Sequence, residues 1–229
     1  PDVYQGSPTG YVGYMASTAK VASFVVLARL CIVSLGFVMD KFELFFSAIV
    51  ILSIFIGSLF ATVQTDMKRL IAYSGVVQSG FILSGMTSGV NGTSASLFYL
   101  AAYVIQLIGI FLIFSAINGE LTSNFSMDNL SGLFIENKFL SICFTIFMLG
   151  LAGLPLTSGF VSKFILITNL WSYEKYILVF ALMLSTVAGF YFYLKPIWIA
   201  AIDKPENSVA KIQIQLNEKI SIGLLAFTT

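Results

Sequence analysis

The strongest constraint on the fold is the segment 149–166, which lies in a long apolar stretch but cannot form one continuous helix. Gly153, Pro155 and Gly159 interrupt it, because proline lacks the backbone N–H of a helix interior and glycine loses most entropy on ordering. Lys163 follows at a depth where lipid is expected. Irregular backbone and charge at that depth are tolerated only in protein or beside a wet cavity. The segment therefore predicts a broken transmembrane helix that holds a functional lysine.

Composition places the whole chain in a bilayer. It is 58% hydrophobic and 10% charged, whereas soluble domains carry about 25% charged residues. The fold class is therefore predicted to be an all-α, polytopic transmembrane helix bundle. Cys31 and Cys143 both lie in apolar runs, which is typical of buried free thiols. The chain contains no histidine, and this disfavours ordinary haem, zinc and copper sites.

A transmembrane helix needs about 20 mostly apolar residues. The hydropathy pattern predicts a single transmembrane domain over 1–229, with spans at 9–35, 43–64, 67–86, 97–118, 139–170 (the broken element), 176–199 and 217–229. The neutral stretch 87–96, rich in Gly, Ser and Thr, is predicted to be a loop. The last span is only partial, so we expect the domain to be incomplete at both ends and to belong to a longer protein.

Basic residues in the loops predict the orientation. If the loops alternate across the membrane, one face collects Lys68, Arg69, Lys138, Lys204, Lys211 and Lys219, and the other collects Lys41 and Lys175. Cytoplasmic loops carry the excess of Lys and Arg in membrane proteins. The first face is therefore predicted to lie in the cytoplasm or the mitochondrial matrix.

Four basic residues remain inside the predicted spans. Lys20 lies eleven residues into its helix, about 16 Å along the axis, and cannot easily reach either surface. Arg29 and Lys195 lie nearer helix ends and can snorkel, and Pro196 after Lys195 fits a helix end. A buried lysine changes protonation readily, because desolvation opposes its charged form. Because the predicted spans offer no inner carboxylate, Lys20 and Lys163 suit a proton relay better than a structural ion pair.

Several uncharged polar side chains are candidates for a water path between the two lysines. Gln78 and Gln106 rank first, because an amide that faces lipid is expensive. Tyr103, Thr157 and Ser158 follow. The alternative for the hydroxyl groups is a bond to their own helix backbone or a role in close packing.

The segments that hold these residues resemble the proton-translocating, antiporter-like membrane subunits of respiratory complex I. The matching strings are Pro-Asp-Val-Tyr-Gln-Gly-Ser-Pro-Thr at 1–9, Ser-Thr-Ala-Lys-Val-Ala-Ser-Phe at 17–24, Gln-Thr-Asp-Met-Lys-Arg-Leu-Ile-Ala-Tyr-Ser at 64–74 and Leu-Ala-Gly-Leu-Pro-Leu-Thr-Ser-Gly-Phe-Val-Ser-Lys-Phe at 151–164. The string Phe-Tyr-Leu-Ala-Ala-Tyr-Val-Ile-Gln-Leu-Ile-Gly-Ile-Phe at 98–111 is similar to the subunit N (chain 2) group of that family.

The resemblance implies roles for individual residues. Lys20 matches the lysine of the family's eighth helix, in the middle of the proton path, and Lys163 matches the terminal lysine of the broken twelfth helix. The chain would extend from the eighth helix to the start of the fourteenth. It would therefore lack the family's buried glutamate on the fifth helix and lysine on the seventh. Gln78 stands where many relatives have histidine.

The resemblance also implies a function and a setting. The chain would be the C-terminal portion of a proton-translocating subunit of an NADH:quinone oxidoreductase, a translocase, in the bacterial plasma membrane or the mitochondrial inner membrane. No cofactor is expected in this chain; NADH, FMN, Fe–S clusters and quinone would bind in other subunits. Its partners would be other membrane-arm subunits, including neighbouring antiporter-like ones, and the lipid bilayer.

Three alternatives stay open at this point. The same motifs occur in Mrp-type cation/proton antiporters and in membrane-bound hydrogenases, although the string at 98–111 favours complex I. A structural membrane subunit whose lysines do not titrate would keep the same fold. A solute transporter would need a substrate-sized pocket at the midplane, which nothing in the sequence indicates.

Overall fold

The computed structural model describes residues 1–34, 39–118, 125–202 and 216–229. Within these ranges the regular structure is helical, which confirms the all-α class with one broken helix. The helices are α1 (Asp2–Gly6), α2 (Thr9–Ser34), α3 (Met39–Thr62), α4 (Met67–Met86), α5 (Gly89–Asn118), α6 (Leu133–Glu136), α7 (Lys138–Ala152), α8 (Ser158–Ser172), α9 (Tyr176–Ile202) and α10 (Leu216–Thr228).

The helix lengths match a bilayer. Four described helices are long and apolar enough to cross it: Thr9–Ser34, Lys41–Thr62, Gly89–Ile117 and Tyr176–Ile202. The broken element consists of α7 and α8, each of 15 residues. Each half covers only about 22 Å, so both are needed to cross the hydrocarbon core of about 30 Å.

Helix α4 is the centre of the described bundle. Fifteen of its twenty residues are buried, and it packs mainly against α3 and α5. Asp66 is its N-cap, and the Asp66 side chain accepts a hydrogen bond from the Arg69 N–H at 2.9 Å. Small residues allow the helices to cross closely. A Cβ added at Gly80 would lie 2.9 Å from Ile54 of α3.

The predicted start of the fourth span at 97 is wrong. Helix α5 begins at Gly89, so most of the predicted loop is helical. The reason is tertiary: Gly85 of α4 and Gly92 of α5 approach backbone to backbone, and the Ser96 hydroxyl donates to the Ile82 carbonyl at 2.7 Å. Residues that favour loops in isolation are here the small residues that a close helix crossing requires.

The sixth span also extends further than predicted. Helix α9 continues through Pro196 to Ile202 instead of ending at 199. A proline is tolerated inside a transmembrane helix where neighbouring groups satisfy the freed backbone. The interpretation of Pro196 as the mark of a helix end is therefore wrong.

Loops predicted to share a membrane face lie together. Met67 N–H donates to the Phe125 carbonyl at 2.8 Å, and Arg69 pairs with Asp2 at 2.7 Å. Lys175 pairs with Glu43 at the opposite end of the helices. Lys68 is buried and donates to the Ser7 carbonyl at 3.0 Å. The predicted loop residues Lys204 and Lys211 lie outside the described residues, and the orientation stays a prediction.

Packing of α5 on α7 predicts a strong effect of one added methyl group. A Cβ at Gly109 would fall on the ring of the fully buried Phe147. Overpacking of this kind costs about 1–3 kcal/mol, so Gly109→Ala should lower the thermal midpoint of the full-length subunit in detergent. Gly10→Ala is the control, because nothing lies within 4 Å of its Cβ. Equal midpoints for the two variants would contradict this account of the packing.

Candidate functional site

The break between α7 and α8 is built by local backbone geometry. Gly153 ends α7 in the left-handed region at φ 85°, and its N–H donates to the Leu149 and Gly150 carbonyls at 3.0 Å. Glycine is preferred there because it has no Cβ to clash. Pro155 follows in the connection, which carries a second left-handed residue, Leu156, at φ 81°. The break thus leaves the last carbonyls of α7 without helical partners.

The Lys163 side chain extends from α8 to the carbonyl end of α7. Its ammonium donates to the Leu151 and Ala152 carbonyls at 2.9 and 3.0 Å. These are the final residues of α7, where the helix dipole is negative and favours a cation. The ring of Phe81 lies 5.3 Å from Nζ, which adds a cation–π contact. Lys163 is only 6% exposed, so the break provides a polar site inside the bundle.

Lys20 also points toward the inside of the bundle. Its Nζ donates to the Gly75 carbonyl of α4 at 2.9 Å and to the Tyr103 hydroxyl of α5 at 3.2 Å. A π-helical turn, Met15–Ala19, immediately precedes it in α2. Such turns occur often at functional sites, because they shift side-chain direction along a helix. Lys20 itself is half-buried in the described chain.

A small cavity lies beside Lys163. Its volume is about 10 Å³, close to the space that one water needs. Tyr103 and Lys163 both line it, together with Gln78, Tyr99, Gln106 and Ser162 among others. Tyr103 therefore contacts Lys20 and also borders the cavity of Lys163. The described residues form no ion pair with either lysine.

Gln78 is fixed by two tyrosines. Its amide N–H donates to the Tyr193 hydroxyl at 2.9 Å, and its carbonyl oxygen accepts from the Tyr99 hydroxyl. The Tyr99 ring stacks on Phe81, with centroids 5.6 Å apart. Phe81 in turn contacts the Lys163 ammonium. Gln78 is thus held in one orientation at the wall of the cavity.

The other predicted site residues lie at the helix break or at the start of α8. Gln106 donates to the Ser158 hydroxyl at 3.3 Å, which brings both to the break. Gly159 lies against the Gly150 carbonyl and has no room for a Cβ. Thr157 accepts from the Phe160 N–H at 3.2 Å and begins α8 as its N-cap. Neither Thr157 nor Ser158 is among the residues that line the cavity, and a place on the water path stays a prediction for both.

Six cavity or network residues were missed from the sequence: Phe81, Tyr99, Gly150, Leu151, Ser162 and Tyr193. A signal existed for Tyr99, because Tyr99, Tyr103 and Gln106 follow i, i+4, i+7 spacing and must share one face of a helix. The other basic candidates lie apart from the site. Arg29 is exposed, and Lys195 donates to the Gln64 carbonyl at 3.4 Å, where α3 ends.

Comparison with known proteins places these features in a family. The family described as NADH:quinone oxidoreductase/Mrp antiporter, transmembrane, matches residues 1–189. The chain is 39% identical over 202 residues to NADH-quinone oxidoreductase subunit N of Mycobacterium tuberculosis, covering 86% of this chain and 38% of that protein. It is 34% identical over 210 residues to NAD(P)H-quinone oxidoreductase subunit 2 of Microcystis aeruginosa, covering 90% and 40%. It thus spans about two-fifths of the length of these relatives.

Solved structures share the fold. A chain of respiratory complex I from Thermus thermophilus superposes with a TM-score of 0.84 at 27% identity, over 99% of this chain and 49% of that chain. A chain of the Mrp complex from Dietzia superposes with a TM-score of 0.82 at 19% identity, over 99% and 50%, which shows the fold alone. With its broken helix and two inward lysines, the chain belongs to the NADH:quinone oxidoreductase/Mrp antiporter family of transmembrane proteins.

Proposed function

We propose that the chain is the C-terminal part of a proton-translocating membrane subunit, of the N or 2 type, in an NADH:quinone oxidoreductase. The observation that supports the proposal is the position of Tyr103, whose hydroxyl accepts from Lys20 and which lines, with Lys163, a cavity with space for one water. The names of the relatives at 34–39% identity support the choice of complex.

The relay would work by successive hydrogen bonds. The Lys20 ammonium donates to the Tyr103 hydroxyl, so it can pass a proton to that oxygen as the hydroxyl releases its own proton to a cavity water. The water then protonates Lys163, whose cationic form is stabilised by the Leu151 and Ala152 carbonyls. Each lysine returns to its neutral form when the proton leaves. No carboxylate within the chain is required for these steps.

The wider assembly follows from the same proposal. Neighbouring membrane-arm subunits, including other antiporter-like ones, would flank this one in an energy-transducing membrane. NADH, FMN, Fe–S clusters and quinone would bind in other subunits, and electron transfer there would drive the proton transfers here. The rest of the subunit would supply the other half of the proton path.

The rival functions have weaker support. The similarity to the Mrp complex from Dietzia is at 19% identity and concerns the fold alone, whereas the curated relatives that we compared are quinone oxidoreductase subunits. A structural subunit without titrating lysines does not need both lysines to point toward polar groups inside the bundle. Their contacts with Tyr103 and with the helix break therefore favour the relay.

The Tyr103 hydroxyl provides the direct test of the route. Tyr103→Phe removes the acceptor for Lys20 and leaves the ring in place, so proton translocation by the complex with the full-length subunit should fall about tenfold or more. The measurement is NADH-driven proton uptake in sealed vesicles, normalised to assembled complex. Tyr191→Phe, on the exposed side of α9, is the control. If Tyr103→Phe translocated protons at the control rate, the proposed route would be refuted.

A further inference from the structure

Two adjoining cavities of the described surface lie away from the relay. Residues of α3 and α9 line an apolar groove of about 510 Å³. Every residue that lines it is uncharged: Ile51, Ile54, Phe55, Ser58, Leu59, Thr62, Ile177, Phe180, Ala181, Leu184, Ser185 and Ala188. The Ser58 and Ser185 hydroxyls bond to each other at 3.3 Å. The groove floor therefore presents satisfied polar groups and is suited to hydrocarbon.

The groove continues into a second cavity at one end of the helices. This cavity has a volume of about 590 Å³ and shares Ile51 and Ile177 with the groove. Charged side chains line it, namely Glu43, Glu174 and Lys175. Lys175 pairs with Glu43. The two cavities together thus form an elongated site with one apolar end and one charged end.

Aromatic residues place the charged end at the membrane surface. Trp171, Tyr173 and Tyr176 are all exposed around it, and the Trp171 and Tyr176 rings lie 5.0 Å apart. Trp and Tyr are enriched where the hydrocarbon core meets the headgroups. The Glu43–Lys175 pair therefore lies at the depth of lipid headgroups.

The apolar part is long enough for an acyl chain. It is lined from Ile177 to Ala188 on α9 and from Ile51 to Thr62, the last residue of α3. Thr62 lies nineteen positions beyond Glu43 on α3, about 28 Å along the axis, and the hydrocarbon core is about 30 Å thick. An acyl chain that starts at the headgroup level therefore has apolar surface beside it past the midplane.

We propose that this site binds one zwitterionic phospholipid with an amine headgroup, taken from the leaflet that contacts Lys175. The acyl chain lies in the α3–α9 groove. The phosphate lies near the Lys175 ammonium, and the lipid amine lies near the carboxylates of Glu43 and Glu174. Two carboxylates beside one lysine complement a headgroup that carries both charges better than a purely anionic one. The inference is independent of proton translocation.

The test is photo-crosslinking on the purified complex that contains the full-length subunit. The complex is placed in nanodiscs with phosphatidylethanolamine that carries a photoactivatable group on its acyl chain, and labelled peptides are mapped. Labelling of the groove residues should saturate and should be displaced by unlabelled phosphatidylethanolamine about tenfold better than by phosphatidylglycerol. This competition needs no variant, so it does not depend on the folding of one.

A matched pair of variants locates the site. Ala181→Trp fills the groove and should lower its labelling about tenfold. Val187→Trp adds the same side chain on the same helix at a position that is 68% exposed and does not line the groove, and should leave labelling unchanged. Labelling that rises without saturation, or equal displacement by both lipids, would overturn the proposal. The absence of label in the groove, because another protein helix covers it, would also overturn the proposal.

Discussion

Lys163→Ala in the full-length subunit is expected to reduce proton translocation by the assembled complex about 100-fold or more, the scale on which one proton-transfer group acts. The ammonium is the only group of the described chain that bonds the final α7 carbonyls from α8. Alanine leaves these carbonyls without their hydrogen-bond donor and the cavity without a proton acceptor. The measurement is NADH-driven proton uptake in sealed vesicles, normalised to the amount of assembled complex.

Two further variants separate titration from structure. Lys163→Arg keeps a cation and its hydrogen bonds but stays protonated, so it should also fail to translocate protons. Lys195→Ala removes an amine that bonds the Gln64 carbonyl where α3 ends and should translocate normally. If the Lys163→Arg variant translocated protons at the full rate, the charge at this position would have only a structural role. The relay would then be abandoned.

Gly153→Ala is expected to reduce translocation about tenfold although both lysines remain. The residue has φ 85°, where an L side chain costs about 1–2 kcal/mol. In addition, its new Cβ would lie 2.9 Å from Lys163 Cδ and 3.2 Å from Nζ. The ammonium must then move away from the Leu151 and Ala152 carbonyls. The same vesicle assay applies, with thermal stability of the complex measured in parallel.

The chain offers a control for backbone strain. Gly89 also has a positive φ, 68°, but nothing lies within 4 Å of its added Cβ. Gly89→Ala should therefore carry the same backbone strain and leave translocation near the normal rate. If both glycine variants lost translocation to the same extent, strain alone would explain the result, and the displacement of Lys163 would be unnecessary.

These two predictions rest on one physical idea. A cation inside a bilayer is stable only if dipoles replace its hydration. Here the break exposes the carbonyl end of α7, and Gly153 and Gly159 bring α8 close enough for Lys163 to reach it. The lysine and the break are therefore one site, which either change disrupts.

Much of this site could be predicted from the sequence, because its signals are local. A Gly–Pro–Gly interruption and a lysine in an apolar run are costly wherever they occur in a membrane, so Gly153, Pro155, Gly159, Lys20 and Lys163 stood out. Gln78, Gln106 and Tyr103 could also be found, since polar side chains need polar partners at that depth.

Only the tertiary structure decided which groups meet. Helix α5 begins at Gly89 because α4 crosses it there, although the sequence 87–96 favours a loop. Thr157 caps α8, whereas Tyr99, Tyr193 and Phe81 form the wall around Gln78 and Lys163. These partners come from helices far apart in the chain. Their contacts depend on helix crossing and rotation, which no local pattern specifies.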